Sequence, residues 1–389
     1  MIDPTHQPAI IAFTKDWDDV PTCTTHILHE MARTRQILWV NSIGTRKPRL
    51  NSPSDIRRLF RRLAGYLRRP VTGTPNIRVL SPLLIPQARS AASRAINRLL
   101  FRLQAPISRP ATPEYWCFVP NAVDLIPPGA FTVYVCVDDW STFHNLDGAW
   151  LDRREQDLLQ RADIVFAVSR FLVEKCRRVA GNRVHYSPHG VAYNQFHDGA
   201  QPDRFRPSPR PVIGFYGNLH AWVDFDLIEQ LAHARPQWDF ILIGEWYADV
   251  SALRACANVT LTGRREHAEL PAYCSTFSAA IIPYDMRQER MQSVNPVKTL
   301  ELLAAGVPVV ASDIPELHGM SPDIILCRTR DEWLTALDAA IQRTDHLAIS
   351  NRVADADWSS RVQTLRTIVE ATRRDWKSIQ CSVFSVQTR

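Results

Sequence analysis

Lys298 and Glu301 lie three residues apart, a spacing that places both side chains on one face of a helix. Lys298 falls in the first turn of that predicted helix, where the dipole is positive and disfavours a cation by roughly 0.5 kcal/mol. A lysine there is favourable if an anion binds among the free backbone N–H groups. A lysine for phosphate and a glutamate for ribose hydroxyls would suit a nucleotide. The alternative is a solvated ion pair, and the spacing alone leaves both interpretations open.

The element that must position this pair is a short helix followed by a buried strand, within residues 293–312. Asn295 is a good N-cap, because its side chain can accept a hydrogen bond from an early helical N–H group. Pro296 suits the first helical position, and Gly306 is the expected stop. Residues 307–311 are apolar on both faces, which is typical of a central parallel strand.

The motif Asn-Pro-x-Lys-x-x-Glu-x-x-Ala-Ala-Gly-x-Pro-Val-Val, which starts at Asn295, resembles the donor-binding segment of GT-B glycosyltransferases. It is most similar to the group 1, family-4-like enzymes that build bacterial surface polysaccharides, including the teichuronic-acid type. The resemblance implies that Glu301 binds the donor ribose and that Asn295, Lys298 and Thr299 belong to the donor site. The family often has a second glutamate eight residues earlier, where this chain has Ser293.

Three further donor-side residues follow predicted strands of the second half of the chain. Gly217 ends the strand that begins at residue 212, and a glycine lets the backbone approach a ligand closely. Tyr284 follows the strand of residues 279–283. The resemblance implies that the turn containing Arg264 lies near the nucleobase. Arg264 and Lys298 are then the predicted cations for the donor diphosphate.

A D-x-D pattern at Asp224 and Asp226 formally matches the metal motif of GT-A transferases. Helix capping and dipole pairing explain these two acids more simply, because they stand at a predicted helix start. Eight scattered cysteines without a C-x-x-C pair favour reduced thiols over a zinc site. We therefore expect neither a metal nor another cofactor, and the nucleotide-sugar acts as donor substrate only.

Carboxylates also follow predicted strands of the first half. Asp138 and Asp139 end the strand of residues 131–137, at the edge of the sheet where α/β proteins bind ligands. One of them could take a proton from an acceptor hydroxyl, and close carboxylates raise each other's pKa, which suits a base. Helix capping by Asp139 or Ser141 is the alternative. Asp16 follows the first strand and is a further acceptor-side candidate, unless it is a solvated loop acid.

The alternation of strands and helices predicts an α/β chain with two doubly wound domains. The resemblance makes this the GT-B architecture, two Rossmann-like domains facing a deep cleft. It also implies that His189 and Gly190, in the segment that closes the first domain, line that cleft. The predicted domains are residues 1–198 and 212–370, with a proline-rich linker at 199–211 and a final helix end and tail at 371–389.

The net charge of +6 is distributed unevenly, since residues 1–110 hold 18 Lys and Arg against 6 Asp and Glu. Residues 54–69 predict a basic amphipathic helix that could contact an anionic membrane. Its predicted membrane-contacting residues are Arg57, Arg58, Arg61 and Arg62. A second segment, residues 93–103, repeats the pattern. Packing of both helices on their own domain is the alternative, and no nucleic-acid-binding motif is present.

These patterns lead to one functional hypothesis and two alternatives. The hypothesis is a glycosyltransferase that moves a sugar from a nucleotide-sugar donor to a hydroxyl of a lipid-linked glycan acceptor in cell-surface polysaccharide biosynthesis. It would be cytoplasmic and peripheral on the inner face of the plasma membrane, because the sequence shows neither a signal peptide nor an apolar run of about 18 residues. One alternative is a nucleotide-sugar epimerase on the same fold. The other is a non-catalytic GT-B-like scaffold, which is favoured by Ser293 at the place of the family's first glutamate.

Overall fold

A computed structural model describes residues 10–43, 74–105, 113–142, 147–198 and 209–387. The chain forms two compact units, here called the N-terminal unit (Met1–Ser187 with Val362–Arg389) and the C-terminal unit (Pro188–Arg361). The predicted basic helix of residues 54–69, with the four arginines predicted to contact a membrane, lies outside the described residues, as does most of the predicted linker.

The N-terminal unit contains an all-parallel sheet of seven strands within the described ranges. These are β1 (Ile10–Phe13), β2 (Ile37–Val40), β3 (Ile77–Leu80), β4 (Glu114–Cys117), β5 (Thr132–Cys136), β6 (Ile164–Ala167) and β7 (Val184–Tyr186). Their order is β3-β2-β1-β4-β5-β6-β7, which is the Rossmann order extended by one strand. Every residue of β1, β4, β5 and β6 is buried, as expected of parallel strands covered on both faces.

Helices connect these parallel strands. They are α1 (Cys23–Ala32), α2 (Ala91–Gln104), α3 (Gly148–Arg161) and α4 (Arg170–Ala180). Side-chain caps start three of them: Ser90 accepts from the Ser93 amide, Asp147 from Trp150 and Ser169 from Leu172.

The C-terminal unit contains a second all-parallel sheet, of six strands within the described ranges. These are β8 (Val212–Tyr216), β9 (Asp239–Ile243), β10 (Val259–Gly263), β11 (Ala279–Ile282), β12 (Val309–Ser312) and β13 (Ile324–Cys327). The order β10-β9-β8-β11-β12-β13 is again the Rossmann order. The helices are α5 (Tyr193–His197), α6 (Phe225–Ala234), α7 (Ser251–Ala255), α8 (Leu270–Cys274), α9 (Val297–Ala304), α10 (Arg330–Ala340), α11 (His346–Asn351) and the start of α12 (Trp358–Gln387).

The unit boundaries differ from the predicted ones for a packing reason. The sequence predicted the end of the first domain at residue 198, but Val191 and Phe196 are fully buried in the core of the C-terminal unit. The predicted second domain ran to residue 370, whereas α12 belongs to the N-terminal unit from Val362 onward. There Arg373 forms a buried ion pair with Glu114, which ties the last helix to β4.

No helix in the described part of the chain combines the length and the apolar character that crossing a bilayer requires.

Candidate functional site

Helix α9 contains Lys298 and Glu301, as predicted, but the helix starts one residue later than expected. Pro296, predicted at the first helical position, has an extended ψ of 106° and is itself the N-cap. The prediction that Asn295 caps the helix is therefore wrong, and this buried residue lies before the cap. The predicted stop is confirmed, because Gly306 has a φ of +76° and its N–H bonds to the Leu303 carbonyl at 2.8 Å.

The start of α9 lies at the point where the strand order of the C-terminal sheet reverses, between β8 and β11. The Lys298 ammonium is 4.4 Å from the ring centroid of Phe215, in β8, and 5.5 Å from that of Tyr284, just after β11. Gly217 follows β8 with a φ of +133°, and a β-carbon there would overlap the Lys298 ammonium. Open α/β sheets bind ligands at this reversal, outside the carboxyl ends of the strands. The fold thus brings together Lys298, Gly217 and Tyr284 there.

Lys298 and Glu301 do not pair with each other. Among the described residues, no carboxylate forms an ion pair with Lys298, whose side chain is half-buried against the two rings. The positive charges of the helix start and of the ammonium therefore add at one place, which is favourable for an anion.

Glu301 instead has two partners that sequence reasoning missed. His267 donates from Nε2 to Oε1 at 2.8 Å, and the Tyr216 hydroxyl donates to Oε2 at 2.9 Å. The hydrogen bond to Glu301 raises the pKa of His267, and burial together with Glu301 raises the pKa of Tyr216 well above its ordinary value. The only sequence signal for Tyr216 was its place at the end of a strand, and His267 gave none.

The other predicted donor-site residues differ from one another in burial and in their hydrogen-bond partners. Thr299 is fully buried, and its hydroxyl has no hydrogen-bond partner among the described residues. Ser293 is buried and donates to the Arg290 carbonyl at 3.0 Å. Arg264 follows β10 and is exposed, and its charge acts on the phenol of Tyr247, which lies in the loop after β9.

The two predicted acids of the N-terminal unit have unlike environments. Asp139 is buried and accepts from the Lys175 ammonium at 2.7 Å and from the Ser141 hydroxyl at 2.6 Å. Burial acts to raise the pKa of Asp139, but these hydrogen bonds and the Lys175 charge outweigh it, so the pKa lies below its ordinary value. The expectation of a raised pKa is therefore wrong for Asp139, because a lysine supplied by α4 neutralises it. Asp138 is half-buried.

Lys175 joins Asp139 to a second buried acid. Its ammonium also lies 2.9 Å from Glu155 of α3, which in turn accepts from the Tyr134 hydroxyl at 2.6 Å. Burial acts to lower the pKa of Lys175, but the two carboxylates raise it above its ordinary value. Ion pairs of Lys175 with Asp139 and Glu155 thus connect the loop after β5 to helices α3 and α4.

Asp16, the predicted acceptor-side acid, also has a role within its loop. Its carboxylate accepts from the Ser42 amide at 3.0 Å, and its carbonyl accepts from the Asp19 amide at 3.2 Å. These bonds hold the loop after β1 against the end of β2, and leave the predicted contact with an acceptor untested.

His189 and Gly190 lie within the C-terminal unit. Gly190 packs against Trp358, whose ring would overlap any β-carbon at that position. Burial lowers the pKa of His189 to about 4, so the imidazole is neutral near pH 7. Its Nδ1 atom has no hydrogen-bond partner in the described part of the chain. That these two residues line a cleft stays a prediction.

The D-x-D pattern is a helix cap, as the sequence predicted. Asp224 accepts from the Leu227 amide at 2.9 Å, and Asp226 stands in the first turn of α6. Among the described residues, no group of three His, Cys, Asp or Glu side chains is arranged to hold a metal ion.

Part of the sequence is similar to known proteins. Residues 210–344 match the family model described as glycosyl transferases group 1. Over 176 residues the chain is 34% identical to a Bacillus subtilis protein named as a teichuronic acid biosynthesis glycosyltransferase, TuaH. That alignment covers 43% of this chain and 44% of TuaH, so it spans less than half of either protein.

Solved structures are similar over nearly the whole chain. Sucrose-phosphate synthase from Thermosynechococcus elongatus has a TM-score of 0.63 at 15% identity, covering 97% of this chain and all of that one. The α,α-trehalose 6-phosphate synthase of Burkholderia multivorans has a TM-score of 0.64 at 10% identity, covering 95% of this chain and all of that one. Anabaena HepE, solved with UDP-glucose, has a TM-score of 0.57 at 12% identity, covering 97% of this chain and all of that one. This chain therefore has the GT-B fold, and its residues 210–344 match the group 1 glycosyltransferase family model.

Proposed function

We propose that this chain is a glycosyltransferase that moves a sugar from a nucleotide-sugar donor to a hydroxyl group of a glycan acceptor in cell-surface polysaccharide biosynthesis. The observation that carries the proposal is the Lys298 ammonium, which stands without an acidic partner among the described residues where the Rossmann-ordered sheet reverses. The similarity to TuaH and the UDP-glucose complex of HepE support the same ligand class.

The reaction is attack of an acceptor hydroxyl on the anomeric carbon. A new C–O bond forms, the bond from the anomeric carbon to the diphosphate breaks, and the nucleoside diphosphate leaves. Lys298 and the first N–H groups of α9 stabilise the negative charge that grows on the departing diphosphate. Glu301 holds the ribose, and Arg264, in the turn near the base, supplies a second positive charge for the diphosphate. In our proposal the site requires no metal or cofactor, because the positively charged side chains of Lys298 and Arg264 neutralise the diphosphate.

Asp138 is the better candidate for a base that takes the hydroxyl proton. Asp139 is held as a carboxylate by Lys175, and a lowered pKa makes it a weaker proton acceptor. Asp138 follows the same strand and stays half-buried. If transfer proceeds with retention of configuration, neither acid is needed as a base.

A lipid-linked acceptor at the inner face of the plasma membrane is supported by the surface of α2. Ile96, Leu99 and Leu103 are 48%, 59% and 75% exposed, and their spacing aligns them along one side of the helix. Arg98 and Arg102 accompany them, and α2 contains no acidic residue. Exposed leucines flanked by arginines fit an anionic lipid surface.

The two alternatives make different predictions. A scaffold protein would neither hydrolyse nor transfer a donor sugar, and Ser293, buried where a glutamate is frequent in the family, favours it. An epimerase would convert the donor without an acceptor, which the exposed apolar side of α2 does not favour.

Calorimetric titration of the whole chain with uridine, guanosine and adenosine diphosphates tests the donor site. We expect one of them to bind and to raise thermal stability by about 3 kcal/mol at 100 times its Kd. Incubation with the matching nucleotide-sugars and isolated membrane lipids, followed by mass spectrometry, tests transfer. Absence of binding by all three diphosphates would overturn the proposal, binding without turnover would favour the scaffold, and an epimerised donor would favour the epimerase.

A further inference from the structure

Both carboxylate oxygens of Glu301 are held by side chains distant in the sequence. His267 Nε2 lies 2.8 Å from Oε1, and the Tyr216 hydroxyl lies 2.9 Å from Oε2. The Glu301 side chain is only 9% exposed, and that of His267 is 30% exposed. Two hydrogen bonds to different oxygens fix the plane of the carboxylate, since rotation about its last bond would break both.

His267 donates its hydrogen bond to Glu301 from Nε2, because an ionised carboxylate only accepts hydrogen bonds and Nε2 must then carry the hydrogen. The ring of Phe196, from α5, meets the imidazole edge-on, with centroids 5.6 Å apart. His267 is thus oriented by α5 on one side and by α9 on the other.

The fixed carboxylate retains unused acceptor capacity. An ionised carboxyl group has about four lone-pair positions, and His267 and Tyr216 each use one. One position per oxygen is left, which matches the two adjacent hydroxyls of a ribose. A 2′-deoxyribose offers only one hydroxyl and would leave one oxygen of this carboxylate without its ligand partner.

Resting on the proposed donor site, we infer that His267 is a positioning residue that sets the Glu301 carboxylate for the ribose diol and so makes the site select ribonucleotides over deoxyribonucleotides. His267 acts through Glu301 and does not touch the ligand in this scheme. Tyr216 acts on the second oxygen in the same way.

A residue that only stabilised the fold would behave differently. Its loss would lower the affinity for every ligand by the same factor, through the fraction of folded protein. Loss of a positioning residue lowers the affinity for the ribonucleotide and leaves that for the deoxyribonucleotide nearly unchanged. The ratio of the two affinities therefore separates the two roles.

The test compares His267→Gln with His267→Asn in the whole chain. The glutamine amide nitrogen reaches the place of Nε2 and can donate to Glu301, whereas the shorter asparagine cannot reach it. Calorimetry with uridine diphosphate and 2′-deoxyuridine diphosphate measures the preference of each protein for the ribonucleotide. If the parent binds guanosine or adenosine diphosphate instead, the corresponding ribo and deoxy pair is used. We expect the parent and His267→Gln to prefer the ribonucleotide by about tenfold or more, and His267→Asn to prefer it by about twofold.

Two further variants complete the design. Tyr216→Phe keeps the ring and removes only the hydroxyl, so it should reduce the discrimination as His267→Asn does, and it serves if the asparagine variant does not fold. His346→Gln changes a half-buried histidine that bonds to the Gly306 carbonyl at 2.9 Å, beyond the other end of α9, and should discriminate like the parent.

The possible failures are distinguishable. If the parent binds the diphosphates but His267→Asn and Tyr216→Phe both discriminate as it does, the role of His267 is overturned and the donor site stands. If the parent binds no nucleoside diphosphate, the donor site itself is overturned, and this inference falls with it.

Discussion

The Lys298 ammonium occupies the space that a β-carbon on Gly217 would need. The end of β8 and the first turn of α9 can meet there because Gly217 has no side chain and leaves room for the long side chain of Lys298. Phe215 and Tyr284 flank the same ammonium with their rings. A substitution at either position should disturb the other.

Gly217→Ala should displace the Lys298 ammonium and weaken binding of uridine diphosphate by about tenfold, since a hydrogen bond to a charged group is worth about 1.5–3 kcal/mol. Gly319→Ala is the control for an alanine at a positive φ, because its φ is +69° and a β-carbon there meets no neighbour within 4 Å. Calorimetry on both variants measures the effect. Equal affinities in the two variants would contradict the link between Gly217 and Lys298.

Lys298→Ala should change the free energy of unfolding by less than about 1 kcal/mol. Loss of the ring contacts destabilises the protein, while removal of a cation from the helix start offsets this loss. The variant should bind uridine diphosphate about 1.5–3 kcal/mol more weakly and uridine equally well, because the lost contact is to phosphate. Glu301→Ala should weaken both. Undiminished diphosphate binding by Lys298→Ala would show that the lysine is structural.

Asp138→Asn and Asp139→Asn should differ in what they affect. Asp139→Asn should destabilise the protein, because it removes the carboxylate that pairs with Lys175, and that contribution should be present near pH 7 and vanish as the pH falls through the lowered pKa of Asp139. Asp138→Asn should, if Asp138 is the base, reduce turnover by about 10²–10⁴-fold. Urea denaturation and initial rates measure these effects. Normal turnover in both variants would favour a mechanism without a base.

Acidification should destabilise the protein through His189. Its pKa of about 4 in the folded chain lies below the unfolded value of about 6.5, so the unfolded state binds a proton first as the pH falls. Stability should drop by about 3 kcal/mol between pH 6.5 and 4 from this group. The slope of urea-unfolding free energy against pH should be smaller in His189→Asn than in the parent protein. Equal slopes in the two proteins would refute the assignment.

Contact with anionic membranes should depend on the exposed side of α2. The double variant Leu99→Ser, Leu103→Ser should reduce co-sedimentation with phosphatidylserine vesicles. Replacement of Arg57, Arg58, Arg61 and Arg62 by glutamate should reduce it too, since each basic residue near an anionic surface contributes about 1 kcal/mol to membrane binding. Leu347→Ser, at an exposed leucine of α11, is the control. Full vesicle binding by both sets of variants with unchanged melting temperature would rule out this surface.

The sequence by itself determined the local features of this protein. The stop of α9 at Gly306, the place of Lys298 in the first turn and the Asp224 cap follow from rules that act within about four residues, so they could be predicted. The alternation of buried strands and helices likewise predicted two doubly wound sheets, because periodicity and turn residues are local signals.

The tertiary structure decided which distant groups meet. Glu301 pairs with His267 and Tyr216, which lie 34 and 85 residues away, and Asp139 pairs with Lys175, which lies 36 residues away. A single sequence contains no rule for such pairs, because they depend on which strands become neighbours and which helix faces turn toward the strand ends. For that reason the sequence predicted a raised pKa for Asp139, and the fold, by placing a lysine beside it, lowered that pKa.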